Sequence, residues 1–245
     1  MKLNQLMQLL KDNARADGAS IIRMDVTSTD AHVYVNDVID SYWGASATAL
    51  ISALAGQHNK TVHLHINSPG GDVFEARAMA AAVVAHAGKV VAHIDGMCAS
   101  AATYLALACS EVRMTDGGLF MVHNSWTMAY GNKSELRDTA ALLEKIDGTI
   151  IADYARKTGA STEQVVAWMD ATTWFTAQEA LDAKFIDAID PNTKQTDGQQ
   201  AQWNLAAYPN APAQLENKPE PDLTALAAAQ TQLNRNRLRL FEKSI

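Results

Sequence analysis

The chain predicts an α/β fold built on a largely parallel sheet and followed by a tail. Three observations carry the prediction. Strand-like and short helix-like runs alternate from residue 21 to about residue 190, and such alternation implies right-handed crossovers between parallel strands. Of the 245 residues, 48% are hydrophobic, enough for one full core. Beyond Pro191 the composition shifts to Asn, Gln, Pro, Ala and Lys, as in a linker. The expected divisions are an N-terminal helical segment (1–20), one α/β domain (21–190), and a linker with a C-terminal helical tail (191–245).

Taken in order, MKLNQLMQLLKDNARADG is helix-like, and IIRMDVTSTDAHVYVNDVID reads as two short strands around a polar turn, with Val33 and Val35 alternating against polar neighbours. SATALISALAG turns helical and stops at Gly56. TVHLHINSPGG alternates Val62, Leu64 and Ile66 with His63, His65 and Asn67, a strand ending in a glycine-rich turn. The two histidines read as outward strand positions rather than ligands. A small-residue-rich helix runs from Asp72 to about Ala87, and the strand KVVAHIDG follows. After Ser100 come a helix to about Ala108 and two strands, EVRMTD and LFMVHNSW.

From Lys133 to Lys157, Leu136, Ala140, Leu143, Ile146, Ile150, Ile151 and Tyr154 recur at helical spacing. This helix is too long and too polar on one side for a central core element, so it is expected to project and pack on a neighbour. TEQVVAWMD is a further short helix, and TAQEALDAKFIDAI is a helix followed by a final strand. DLTALAAAQTQLNRNRLRLFEKSI suits an amphipathic helix.

Composition narrows the function. A net charge of −7 supplies no basic face to track a phosphate backbone, which argues against a nucleic-acid partner. Only Cys98 and Cys109 are present, too few for a disulfide framework, which suits a reducing, cytoplasmic compartment. The first apolar run is broken by Lys11, Asp12 and Asn13, so neither a membrane span nor an export signal is expected. With no HExxH and no paired-cysteine motif, neither a metal nor an organic cofactor is expected.

The chemistry centres on GMCASAATYLALAC, residues 96–109, where Ser100 sits among small residues at a strand-to-helix joint. A nucleophilic serine needs exposure, a base within hydrogen-bond reach, and N–H groups aimed at the developing oxyanion. A helix start leaves the Ala101 amide an orphan donor. Gly70 and Gly71 of SPGG are candidates for a second donor, since glycine lets the backbone approach closely; a plain tight turn is the alternative. Among seven histidines, His123 stands at the end of an apolar strand beside a polar loop, whereas His86 and His93 read as helix-face and strand positions. Cys98, two residues before Ser100, has no neighbour that lowers its pKa and reads as a buried structural thiol.

INSPGGDVFEARAMAAAV, GMCASAATYLALA, FMVHNSW and WFTAQEALDAKFIDAI, in this order, resemble the Clp protease proteolytic subunit family of serine peptidases, and within it the phage and prophage branch of head maturation proteases. The likeness spans about Ile21 to Ile189. It implies a crotonase-like ββα spiral with the long helix as a handle between rings of subunits, Ser100 as nucleophile, His123 as general base and then acid, and the Gly70, Gly71 and Ala101 amides as oxyanion hole. One position departs from the family pattern: where its third catalytic residue, an acid, aligns, this chain has Thr172. Asp170, two residues upstream, is the candidate to replace it.

The function so implied is a serine endopeptidase, a homo-oligomeric ring cutting capsid or scaffold polypeptides in the host cytoplasm or the assembling head. A partner ATPase that feeds it unfolded chains is the less favoured variant, because the N-terminus is a polar helix-like piece rather than a gating loop. Three other readings compete: an acyl-CoA enzyme of the crotonase class, disfavoured by the acidic surface; a catalytically weakened assembly protein; and a Ser–Lys relative of signal-peptide peptidases, for which no lysine sits in a catalytic-looking block.

Overall fold

Residues 22–42, 44–58, 60–191, 205 and 208–211 are described by the computed structural model. The proposed N-terminal helix and the amphipathic helix at the C-terminus lie outside the described residues. Eight strands form one sheet: β1 (Arg23–Val26), β2 (Asp30–Val35), β3 (Thr61–Ser68), β4 (Val90–Ala99), β5 (Glu111–Thr115), β6 (Leu119–Val122), β7 (Thr173–Thr176) and β8 (Ala188–Asp190). Among the described residues six helices accompany them: α1 (Ala47–Leu54), α2 (Val73–Ala85), α3 (Ala102–Leu107), α4 (Lys133–Thr158), α5 (Thr162–Asp170) and α6 (Ala177–Asp182).

The strands lie in the order β1-β2-β3-β4-β5-β8, parallel throughout except for the antiparallel β1–β2 pair. On the side away from β3, β4 serves two partners. Its first half, Val91–Ile94, pairs with β5, and its second half, Met97–Ala99, pairs with β6, which returns antiparallel to β7. The β4–β6 pairing carries β4 further than the sequence reading suggested, through Met97, Cys98 and Ala99 up to Ser100. β7 was not anticipated, because its four residues TWFT are too short to register as a strand without the β6 partner.

Alternation sets the two faces. Ala31, Val33 and Val35 of β2 and Val62, Leu64 and Ile66 of β3 are fully buried in the core, which α1, α2 and α3 help to cover. The residues between them point the other way. There His32, His63, His65 and His93 form a stacked ladder: His32 Nδ1 lies 3.1 Å from His65 Nε2, and His63 Nδ1 lies 2.9 Å from His93 Nε2. His65 also meets Asp95 at 2.9 Å. The parallel registers His32↔His63 and His65↔His93 make this ladder, so His63 and His65 are outward strand positions.

Local signals delimit the helices. Ser46, Asp72 and Ser161 cap α1, α2 and α5 through their side chains, and Asn132 with Glu135, and Thr176 with Glu179, form capping boxes on α4 and α6. α4 ends at Gly159 in the left-handed region (φ 74°). Only Ile150, Tyr154 and Thr158 of α4 are buried, while its first part, including Leu136 and Leu142, is exposed. Among the described residues no helix is long and apolar enough to cross a membrane.

Candidate active site

β4 must give way to α3 within two residues, and the strain of that turn falls on Ser100, a non-glycine residue at φ 55°. The turn is held from both sides. The Ser100 N–H donates to the Met121 carbonyl of β6 at 2.9 Å, extending the sheet by one rung. Its carbonyl accepts from the Thr103 N–H (3.0 Å) and the Thr103 hydroxyl (2.7 Å). Thr103 in turn meets the Tyr154 hydroxyl of α4 at 2.7 Å.

His123 follows β6 directly, so the pairing of β6 with the end of β4 brings two residues 23 positions apart into contact: Ser100 Oγ lies 2.7 Å from His123 Nε2. Burial pushes the imidazole down to about 4, so at neutral pH it is uncharged and able to accept a proton. The loop beyond it is pinned on two sides. Asn124 Nδ2 donates to Asp170 Oδ1 at 2.8 Å, and the Ser125 N–H donates to Asp147 Oδ1 at 2.7 Å.

The SPGG turn lies against the same joint. Gly70 has φ 92°, and a Cβ there would stand 2.7 Å from Ser100 Cβ and 2.9 Å from the Ala101 nitrogen, so only glycine lets the two backbones meet. Gly71, at φ 150°, lies so close to the Ile39 backbone that a Cβ would come within 2.0 Å of its carbonyl oxygen. The three candidate amides are not equivalent. The Gly70 N–H already donates to Ser68 Oγ at 3.2 Å, whereas the Gly71 and Ala101 N–H groups donate to no acceptor among the described residues.

The two candidates for a third member lie differently. The antiparallel register ends at Val122↔Thr173, and its continuation sets Thr172 opposite His123. Thr172 is buried, at φ 49°, and its hydroxyl makes no hydrogen bond to the imidazole. Asp170 lies two residues further back and meets Asn124, the neighbour of His123, rather than the ring itself.

Cys98 is fully buried in the core and burial raises its thiol well above the ordinary range, so no thiolate competes with Ser100. Among the described residues no three His, Cys, Asp or Glu side chains are arranged to hold a metal ion.

Two features of the site were not anticipated. One is the Thr103–Tyr154 link. The other comes from the stretch whose composition reads as linker: Leu205 and Tyr208 are buried against Val38, Met97, Ala99 and Met121, and the Tyr208 ring meets the His123 ring edge-on at 5.4 Å. The one available signal was Trp203, Leu205 and Tyr208 standing close together between stretches rich in Asn, Gln, Ala and Pro.

Comparison with known proteins points the same way as this geometry. The family model described as Clp protease matches residues 17–193. ATP-dependent Clp protease proteolytic subunit 1 of Leifsonia xyli subsp. xyli is 29% identical over 156 residues, 63% of this chain and 79% of its own. The ATP-dependent Clp protease proteolytic subunit of Bacteroides fragilis is 28% identical over 179 residues, 69% and 85% of the two chains. Subunit 2 of Bifidobacterium longum is 27% identical over 155 residues, 62% and 75% of the two chains.

Proposed function

This chain belongs to the Clp protease family, and on that premise we propose that it is a serine endopeptidase in which Ser100 and His123 perform acyl transfer on polypeptide. One observation carries the reading: the 2.7 Å contact between Ser100 Oγ and an uncharged His123 Nε2, beside two amides with no acceptor among the described residues. As Ser100 Oγ attacks the scissile carbonyl carbon, its proton passes to His123 Nε2. The Gly71 and Ala101 N–H groups receive the oxyanion. When the C–N bond breaks, His123 returns the proton to the leaving amine, and water attacks the resulting ester by the same route.

Among the described residues no acid touches the imidazole, so in this reading the imidazolium formed in the transition state is stabilised less than in a full triad. Thr172 occupies the third position, and Asp170 acts at one remove by holding Asn124. The substrate we propose is a capsid or scaffold polypeptide cut during phage head maturation, on the resemblance of the four sequence blocks. A second reading, polypeptide delivered by an ATPase, is favoured by the names of the relatives, which are ATP-dependent proteolytic subunits. The exposed first part of α4 suits contact between subunits of a cytoplasmic homo-oligomeric ring, the handle of a crotonase-like spiral.

A fluorophosphonate probe tests the chemistry. The expected result is covalent labelling of the wild-type chain that disappears in Ser100→Ala while the oligomer persists. Labelling that survives in Ser100→Ala sinks the assignment, and a folded wild-type chain that never labels favours the weakened assembly protein or the acyl-CoA enzyme.

A further inference from the structure

Tyr208 is 139 residues from Pro69 in sequence, yet its hydroxyl donates to the Pro69 carbonyl at 2.9 Å, one residue before the glycines that flank Ser100. The ring stands edge-on to His123, at 85° to it. Tyr208 therefore meets His123 and the turn beside Ser100.

The segment is anchored as well as inserted. Leu205 is 0% and Tyr208 6% exposed, in one apolar cluster with Val38, Met97, Ala99 and Met121. The Tyr208 N–H donates to the Leu205 carbonyl at 2.8 Å, which ties the two residues together. Outside the cluster, Trp174 Nε1 of β7 donates to the Pro209 carbonyl at 3.2 Å and Asn210 Nδ2 donates to the Ala171 carbonyl at 2.9 Å. These contacts run along the residues around Thr172, so the segment lies across the site from the SPGG turn to the far side of His123.

An extended peptide substrate has to bring its own backbone between Ser100, His123 and the Gly71 and Ala101 amides. The Tyr208 side chain stands beside that path, its ring against His123 and its hydroxyl on the carbonyl that precedes Gly70. It brings a phenol and not a peptide carbonyl to the pair, so it crowds the site without offering a bond to cut. We propose that Leu205 and Tyr208–Ala211 act as an autoinhibitory strap, with Tyr208 as the plug that must leave before polypeptide can enter. The proposal rests on Ser100 being the nucleophile.

The apparent activity of a plugged site scales with the fraction of molecules in which the plug is out. In the full chain, Tyr208→Ala removes the plug, and Asn210→Ala loosens one exposed anchor while leaving the ring in place. Initial rates on a fluorogenic peptide and rates of fluorophosphonate labelling are compared with wild type. Tyr208→Ala is expected to be faster by about tenfold or more in both, and Asn210→Ala by about two- to threefold. A folded Tyr208→Ala chain that labels at the wild-type rate or more slowly overturns the strap; a slower rate makes Tyr208 a support for His123 instead. Should Tyr208→Ala fail to fold, Asn210→Ala decides, and a wild-type rate there overturns the proposal. A folded Tyr208→Ala chain that never labels removes the nucleophile reading itself, a result distinct from labelling that is merely no faster.

Discussion

The Thr103 and Tyr154 hydroxyls lie 2.7 Å apart in a buried contact that ties the turn carrying Ser100 to the long helix α4. Thr103 spends its second bond on the Ser100 carbonyl, so the strained φ of Ser100 is braced from α4. Tyr154→Phe is expected to cost about 1 kcal/mol, since Thr103 keeps its bond to Ser100. Thr103→Val leaves the Tyr154 hydroxyl buried without that partner and is expected to cost about 2 kcal/mol, with a larger loss of peptidase rate. Urea denaturation read beside peptide hydrolysis checks both.

Gly70→Ala is expected to slow turnover about 100-fold without unfolding the sheet. The new Cβ falls 2.6 Å from the Ala99 carbonyl oxygen and 2.7 Å from Ser100 Cβ, at a φ of 92° that an alanine resists. The turn has to move away from Ser100, and a shift of that size costs about 100-fold in rate. Labelling kinetics beside a circular dichroism spectrum separates loss of geometry from loss of fold.

The acid limb of the pH profile follows from His123. Its imidazole is neutral above about 4, so Ser100 labelling is expected to hold down to about pH 5 and fall near pH 4. Stability moves in the same direction. Because the folded pKa lies below the ordinary 6.5, the unfolded chain binds a proton the folded chain refuses between those two values, and stability falls as pH drops through that window. The contribution reaches roughly 3 kcal/mol below it. His123→Gln is expected to flatten this part of the melting-temperature profile.

Thr172→Asp is expected to raise the peptidase rate, by about tenfold or more. The β6–β7 register sets position 172 opposite His123, and an aspartate tolerates the φ of 49° better than a β-branched threonine. Asp170→Asn is expected to slow the reaction by less than about tenfold, against the roughly 10⁴-fold loss that follows removal of an acid in contact with the imidazole. Steady-state rates of the two variants in parallel check the pair, and a 10⁴-fold loss in Asp170→Asn sinks the account of the third position.

Much of this was legible because it is local. The alternation in TVHLHINSPGG separates core-facing Val62, Leu64 and Ile66 from the histidines between them, and Asp72 or Gly56 mark helix ends by chemistry that acts within a few residues. Ser100, His123 and SPGG were likewise recognisable as residue types at strand ends. β7 was not legible, because four residues become a strand only when β6 lies beside them. The engagement of the Gly70 amide by Ser68 was equally hidden, since it depends on how the turn closes.

By itself, the sequence determined the alternating α/β plan, the helix boundaries and the kinds of group available for acyl transfer, since periodicity, capping and glycine placement act along the chain. Tertiary structure alone decided which groups meet. The split pairing of β4 with β5 and β6 joins Ser100 to His123, the β6–β7 pairing brings the chain before Thr173 alongside His123, and Tyr208 comes in from a stretch that reads as linker. Contacts between residues tens of positions apart depend on the registers of strands and the shape of the space between them, and no short-range pattern encodes either.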